Sequence, residues 1–286
     1  MATDTIRTKA VNLTETERSN AAGHSGALIR ARQASFLADL WSVAIRALRA
    51  LPREPEVIVP ALIIPIFFFT VNLGSLQDFA ERGLPGLDFR AFQLPTAIVF
   101  AVTGISRAHA LVTDIQSGYF DRMLMTPMRR LSLLLGLMVA DLVLVMALTL
   151  PVLALGFAVG VTFETGILGL LLFIAMAGLW GLAFTGFPYA IALKTGSPGA
   201  VASSFLLFFP FAFLTTATLP QDVLSGWLDT IATFNPMTYL LAALRSLLYG
   251  GWDARALLEG LAATLGVAVV SISLALGTLR GRIARG

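Results

Sequence analysis

Apolar residues crowd into six long runs along the chain, at 56–73, 92–112, 137–160, 167–191, 199–217 and 257–279, with short polar or charged stretches between them. Each run is close to or above the roughly 20 residues that an α-helix needs to cross a bilayer. The pattern predicts an all-α polytopic membrane protein with six transmembrane helices. Ahead of the first run the spacing changes. Leu37, Leu40, Trp41, Ala44, Ile45 and Leu48 recur at helical intervals, with Ser35, Asp39, Ser42, Arg46, Arg49 and Arg53 opposite them. This two-faced segment, 35–53, predicts an amphipathic helix lying flat on the membrane surface. Residues 1–34 are polar and poor in large apolar side chains, which predicts a disordered cytosolic tail before a transmembrane domain at 35–286,. With no apolar core, that tail does not read as a secretory signal.

The stretch 220–250 reads neither as a span nor as a plain loop. Trp227, Leu228, Ile231 and Phe234 form one apolar stripe, Asn235-Pro236 breaks it, and 237–249 is apolar again except for Arg245. Two short helices joined at Asn235-Pro236 and dipping partly into the outer leaflet account for this. Such a re-entrant hairpin needs protein around it, because lipid offers the backbone no hydrogen bonds.

Composition supports the membrane assignment: 57% hydrophobic and 13% charged residues with mean hydropathy +0.81, against about 25% charged residues in soluble domains. Charge then sets the orientation. With both termini cytosolic, Arg82, Arg90, Arg245 and Arg255 fall outside and the other sixteen of the 20 Lys and Arg inside. Positive residues stay on the cytosolic face, so an inner, cytoplasmic-membrane protein with an even number of spans is expected. The net charge of +3 follows that face, which points to anionic lipid headgroups and not to nucleic acid as the partner of the basic residues,.

Several chemistries are excluded or disfavoured. The chain has no cysteine, so disulfides, thiolate metal sites and cysteine nucleophiles are ruled out,. His24 and His109 stand apart, and no metal site is expected. No catalytic residues are expected either. No Gly-x-x-x-x-Gly-Lys-Ser/Thr phosphate loop occurs, so the chain is expected to bind no nucleotide of its own,.

Inside the spans, Asp141 is the one carboxyl group well within an apolar run. Such a group costs roughly 2.5–3.5 kcal/mol to insert unless it is neutral, paired or turned to the bundle interior. Three readings stay open: it lies near the inner interface, it pairs with Arg107 or a polar neighbour, or it faces cationic cargo. Phe205, Phe208 and Phe209, with Met176, Trp180 and Phe184, are candidates for an apolar cargo route, with core or lipid-facing packing as the alternative. Gly156, Gly160, Gly178 and Gly181 predict close helix packing.

The segment 114–130 is short, charged and cytosolic. Its run Asp121-Arg122-Met123-Leu124-Met125-Thr126-Pro127-Met128-Arg129-Arg130 resembles the inner loop of type 2 ABC exporter permeases, where a Leu-x-Thr-Pro core precedes basic residues. Asn235-Pro236-Met237-Thr238-Tyr239, followed by Arg245, is similar to the Asn-Pro-x-x-Tyr pattern before the last span of that family, and the antibiotic-resistance branch typified by daunorubicin export is the nearest in flavour. The resemblance implies that Asp121 through Arg130 form a coupling helix docking on a separate cytosolic ATPase subunit, which carries the ATP and Mg. It implies a second permease copy, identical or related. Arg129 and Arg130 read equally as anchors of a span end. With few polar groups in the spans, a hydrophobic drug or lipid-like cargo is expected. A polysaccharide or lipid-linked glycan, and an ion-coupled multidrug transporter, are the alternatives.

Overall fold

The computed structural model describes residues 35–51, 55–103, 105–125 and 130–284. The predicted N-terminal tail lies outside them. Every regular element among the described residues is helical: α1 (Phe36–Ala50), α2 (Pro55–Gly83), α3 (Phe89–Val102), α4 (Ala108–Gln116), α5 (Tyr119–Leu124), α6 (Arg130–Ala158), α7 (Gly166–Thr195), α8 (Pro198–Ser203), α9 (Phe208–Phe213), α10 (Trp227–Phe234), α11 (Pro236–Arg245) and α12 (Ala254–Ile283).

Four stretches of 26 to 30 residues are long and apolar enough to cross a membrane: Ile58–Gly83, Leu131–Ala158, Gly166–Thr195 and Ala254–Ile283. They coincide with the first, third, fourth and sixth apolar runs. The first continues ten residues beyond its predicted end at 73, to Gly83. Its polar last turns support one another at helical spacing, Gln77 to Glu81 at 3.1 Å and Arg82 to Asp78 at 3.2 Å,. Pro60 and Pro65 lie inside this helix without ending it.

The second and fifth runs are built differently. The second divides into α3 and α4, with non-helical backbone between them. The fifth is the shorter stretch Pro198–Phe213, whose middle tightens into a 3₁₀ turn at Ser204–Leu207. Two local features favour that tightening. Pro210 has no N–H to return to the carbonyl of Leu206, and the hydroxyls of Ser203 and Ser204 donate to the carbonyls of Gly199 and Val201,.

Helix α7 is the centre of the bundle, packed against α12, α6, α4 and α3. Glycines set these distances. A Cβ added at Gly178 would fall 2.8 Å from Met146, one at Gly181 2.7 Å from Val145, and one at Gly156 2.7 Å from Leu94. Gly160 does not belong with them, because it turns the chain after α6 at φ 93°. The tightest inter-helix approach is at a position the apolar pattern did not single out. A Cβ at Gly186 would lie 2.4 Å from the backbone of Ser271 on α12, beside the hydrogen bond that the Ser271 hydroxyl donates to the Ala183 carbonyl. Gly186→Ala is expected to push α7 from α12 and to destabilise the protein by about 2 kcal/mol. Gly266→Ala, which meets nothing within 4 Å, should leave stability within about 0.5 kcal/mol. Thermal unfolding of the detergent-purified variants measures both.

Helix α1 forms where amphipathic spacing predicts it. Ser35 caps it by accepting a hydrogen bond from the Ala38 N–H at 3.3 Å,. It packs on α6 through a face whose fully buried residues share only Ala44 with the apolar stripe. Asp39, Val43, Ala44 and Ala47 are buried, while Leu37 is 71% and Trp41 58% exposed. Size decides this: Val43 and the Leu40 carbonyl rest over Gly136, where only a narrow stripe fits. The large apolar side chains of Leu37 and Trp41 are left exposed.

Candidate functional site

The described part of the 114–130 segment, through Met125, folds as the end of α4 and the short α5, with Gly118 between them at φ 69°, a left-handed conformation that glycine adopts without strain,. Because α5 is a single amphipathic turn and a half, its residues divide by face. Phe120 and Met123 are buried in the bundle, whereas Asp121 and Arg122 are exposed and Met125 is 79% exposed. Met123, expected on the contact surface, is therefore turned toward its own protein. Arg122 folds back to donate to the carbonyls of Gly118 and Ser117, each at 3.4 Å. Leu124 closes α5 and Arg130 opens α6. Thr126, Pro127 and Arg129 lie outside the described residues.

Two arginines bind this foot to distant helices. Arg46 of α1 pairs with Asp114 of α4 at 3.2 Å and lies 5.1 Å over the Tyr119 ring. Arg282, at the end of α12, lies 5.8 Å over the Phe120 ring and donates to the Leu193 carbonyl of α7 at 3.3 Å. Displacement of α5 would therefore load α1, α7 and α12 together.

Asp141 sits at the break between α3 and α4, and the geometry selects among its three readings. It is 0% exposed. One carboxyl oxygen accepts from the backbone N–H of Arg107 at 3.0 Å, and the other accepts from the Tyr189 hydroxyl at 2.6 Å. Asp141 thus caps α4 from α6 while α7 holds it in place. On the other side of the break, Thr103 donates to the Val99 carbonyl at 2.6 Å and accepts from the Trp180 indole at 2.9 Å. A helix interrupted inside an apolar bundle leaves backbone groups that need partners, and these side chains supply them. The expected polar neighbour is therefore Tyr189 together with the Arg107 backbone. Tyr189, Trp180 and Thr103 were not assigned a polar role from sequence, although Thr103-Gly104 in mid-run and a lone tyrosine after Pro188 were signals of it.

The hairpin residues form a second polar lock. Helices α10 and α11 meet at Asn235-Pro236 as the pattern predicts. The Asn235 side-chain oxygen Oδ1 accepts from the Met237 N–H at 3.0 Å, and Pro236 takes the first helical position, where no N–H is needed,. The Asn235 amide also donates to the carbonyls of Phe211 and Leu214, at 3.0 and 2.7 Å, closing the end of α9. Tyr239 ties α11 back to α10 by donating to the Thr233 carbonyl at 2.7 Å.

Arg245, 6% exposed, is held without a carboxylate among the described residues. It donates to the carbonyls of Phe92 at 3.1 Å and Thr216 at 2.9 Å, and to the hydroxyls of Thr216 and Thr96 at 3.2 and 3.3 Å. Its guanidinium also lies 3.5 Å over the Phe92 ring,. One side chain thereby joins α11, α3 and the strand of coil after α9.

The aromatic candidates part company. Phe208 is 0% exposed and packs edge-on against Phe100 and Phe184 at 5.0 and 6.1 Å, so core packing accounts for it. Phe209 is 40% exposed and stacks on Phe213 at 5.7 Å. Phe205 lies in the 3₁₀ turn. Among the described residues no group of His, Asp and Glu is placed to hold a metal ion.

Residues 38–249 match the family described as ABC-2 type transporter. The daunorubicin resistance ABC transporter permease protein DrrB1 of Streptomyces coeruleorubidus is 25% identical over 229 residues, covering 76% of this chain and 77% of that protein. The "Probable doxorubicin resistance ABC transporter permease protein DrrC" of Mycobacterium tuberculosis is 25% identical over 247 residues, covering 86% and 90%.

Proposed function

Because the chain belongs to the ABC-2 type transporter family, we propose that it is the membrane permease subunit of an ATP-driven exporter. It moves a hydrophobic drug or lipid-like compound out across the cytoplasmic membrane, and both of its termini are cytosolic. A separate ABC ATPase subunit holds ATP and Mg. A second permease copy, identical or related, completes the pathway. The interrupted stretches α3–α4 and Pro198–Phe213 serve as the second and fifth of six crossings, and α10–α11 is the outer re-entrant hairpin. The two similar proteins carry drug-resistance names, which supports a drug-like cargo.

The observation that carries the reading is the construction of α5. Its Phe120 and Met123 are rooted in the bundle, its outer face presents Asp121, Arg122 and Met125, and arginines from α1 and α12 brace it. An exposed, braced foot is what mechanical transmission from an ATPase groove requires. Methionine supplies adaptable apolar contact and arginine a carboxylate-pairing fork.

Co-expression with an ABC ATPase subunit tests this. The two should copurify with vanadate-sensitive ATP hydrolysis. Met125→Asp combined with Arg122→Glu should lower association at least about tenfold, the effect of losing a central interface contact of about 1.4 kcal/mol. Thermal unfolding should stay unchanged, since neither side chain is buried. Undiminished association and ATP turnover in that variant would remove α5 from the coupling role.

A further inference from the structure

A cavity of about 130 Å³ lies between α2, α3 and the residues around the end of α9, bordering the Arg245 network at Thr96 and Ala217. Phe68, Phe69, Phe100 and Phe213 line it, together with Gln93 and Thr96. Gln93 is 2% exposed, and its amide nitrogen has no hydrogen-bond partner among the described residues. A buried amide donor left unpaired costs about 1–3 kcal/mol, and that cost is recovered when an incoming acceptor meets it. The aromatic walls are ordered: Phe100 stacks with Phe68 at 6.3 Å and meets Phe213 edge-on at 6.1 Å. The back wall is fixed as well. Thr96 donates to the Ala217 carbonyl at 3.1 Å and accepts from Arg245 at 3.3 Å. The phenylalanine and threonine walls are therefore ordered before anything enters, whereas the Gln93 amide nitrogen is covered and must be uncovered by a side-chain rotation as an acceptor arrives.

Its volume fits one ring, since apolar cavities of about 150 Å³ accept benzene. Resting on the exporter reading above, we propose that this cavity is a cargo subsite. It takes one aromatic ring of an amphipathic molecule, edge and face against the phenylalanines, and the Gln93 amide donates a hydrogen bond to a carbonyl or hydroxyl oxygen on that ring. An acyl chain would fill the space but leave the Gln93 donor unanswered, so a lipid tail is the disfavoured occupant. Arg245 does not line the cavity and acts on it through Thr96 and Thr216, which makes it a positioning residue.

The test is equilibrium binding to the purified full chain in nanodiscs, followed by fluorescence. The probes are 1,4-dihydroxyanthraquinone and, as a control without oxygen, anthracene. Gln93→Met keeps the side chain's length and removes the donor. It should weaken the dihydroxyanthraquinone about tenfold and leave anthracene within about twofold. Phe100→Leu should weaken both probes, and it provides an independent reading if Gln93→Met does not fold. Equal binding of the dihydroxyanthraquinone by wild type and both variants overturns the proposal. So does displacement of both probes by added phosphatidylglycerol in wild type and variants alike. ATPase copurification is scored separately: its absence would defeat the exporter reading, while the probe measurements still decide the pocket.

Discussion

Arg245→Met is expected to destabilise the protein by about 4 kcal/mol, the largest single effect in the described structure. The substitution keeps most of the apolar stem and deletes a guanidinium that makes four hydrogen bonds and one ring contact. The Thr216 carbonyl would be left buried without its donor, at about 1–3 kcal/mol, and the Phe92 carbonyl, the Thr96 and Thr216 hydroxyls and the Phe92 ring would each lose a cationic partner. Arg245→Lys should recover little. An ammonium is a compact point donor and lacks the planar fork that reaches two carbonyls and two hydroxyls on separate segments at once. Thermal unfolding in detergent measures the loss. Pairing Arg245→Met with Thr216→Val should give less than the sum of the two single effects, because they share one network. Full additivity would mean that Thr216 contributes nothing to holding the guanidinium.

Asp141→Leu comes next, at about 3 kcal/mol, because the Arg107 N–H and the Tyr189 hydroxyl both lose their acceptor in a buried setting,. Asp141→Asn retains an acceptor for the Arg107 N–H and an amide that can pair with the phenol. It should cost only about 1 kcal/mol, the usual worth of one altered hydrogen bond. Transport separates a structural carboxyl from one that reads cargo charge. With both oxygens committed, export of cationic and neutral compounds should fall together in Asp141→Leu and survive together in Asp141→Asn. Selective loss of cationic cargo in Asp141→Asn, with ATP turnover unchanged, would assign the carboxyl to charge recognition instead.

These two locks share a logic. Each stands where the helical backbone is interrupted inside apolar surroundings, Asp141 at the α3–α4 break and Arg245 beside the coil after α9. Each uses side chains from other helices to satisfy what the interruption exposes. The foot on α4 and α5 hangs from the first, and the wall of the aromatic cavity leans on the second.

Much of this was legible in the order of residues. Hydrophobic run length located the four continuous spans, helical spacing located α1, and Asn235-Pro236 located the joint between α10 and α11, because each depends on local periodicity or on a backbone constraint that a residue carries with it. Other features were not legible. The split of the second run, the face by which α1 docks, the inward turn of Met123, the closeness of α7 and α12 at Gly186 and the unpaired Gln93 amide beside four phenylalanines all depend on residues far apart in the chain. Within an apolar run every position looks alike to a hydropathy pattern. Only packing distinguishes a glycine that admits a neighbouring backbone from one that faces open space, or a polar group that has found its partner from one still waiting for it. Sequence by itself determined that this chain is a helical membrane protein, with a short charged foot and a proline-jointed hairpin. The tertiary structure decided which of its buried polar groups are paired and which, the Gln93 amide among them, are not, because hydrogen-bond satisfaction belongs to neighbours in space and not to neighbours in the chain.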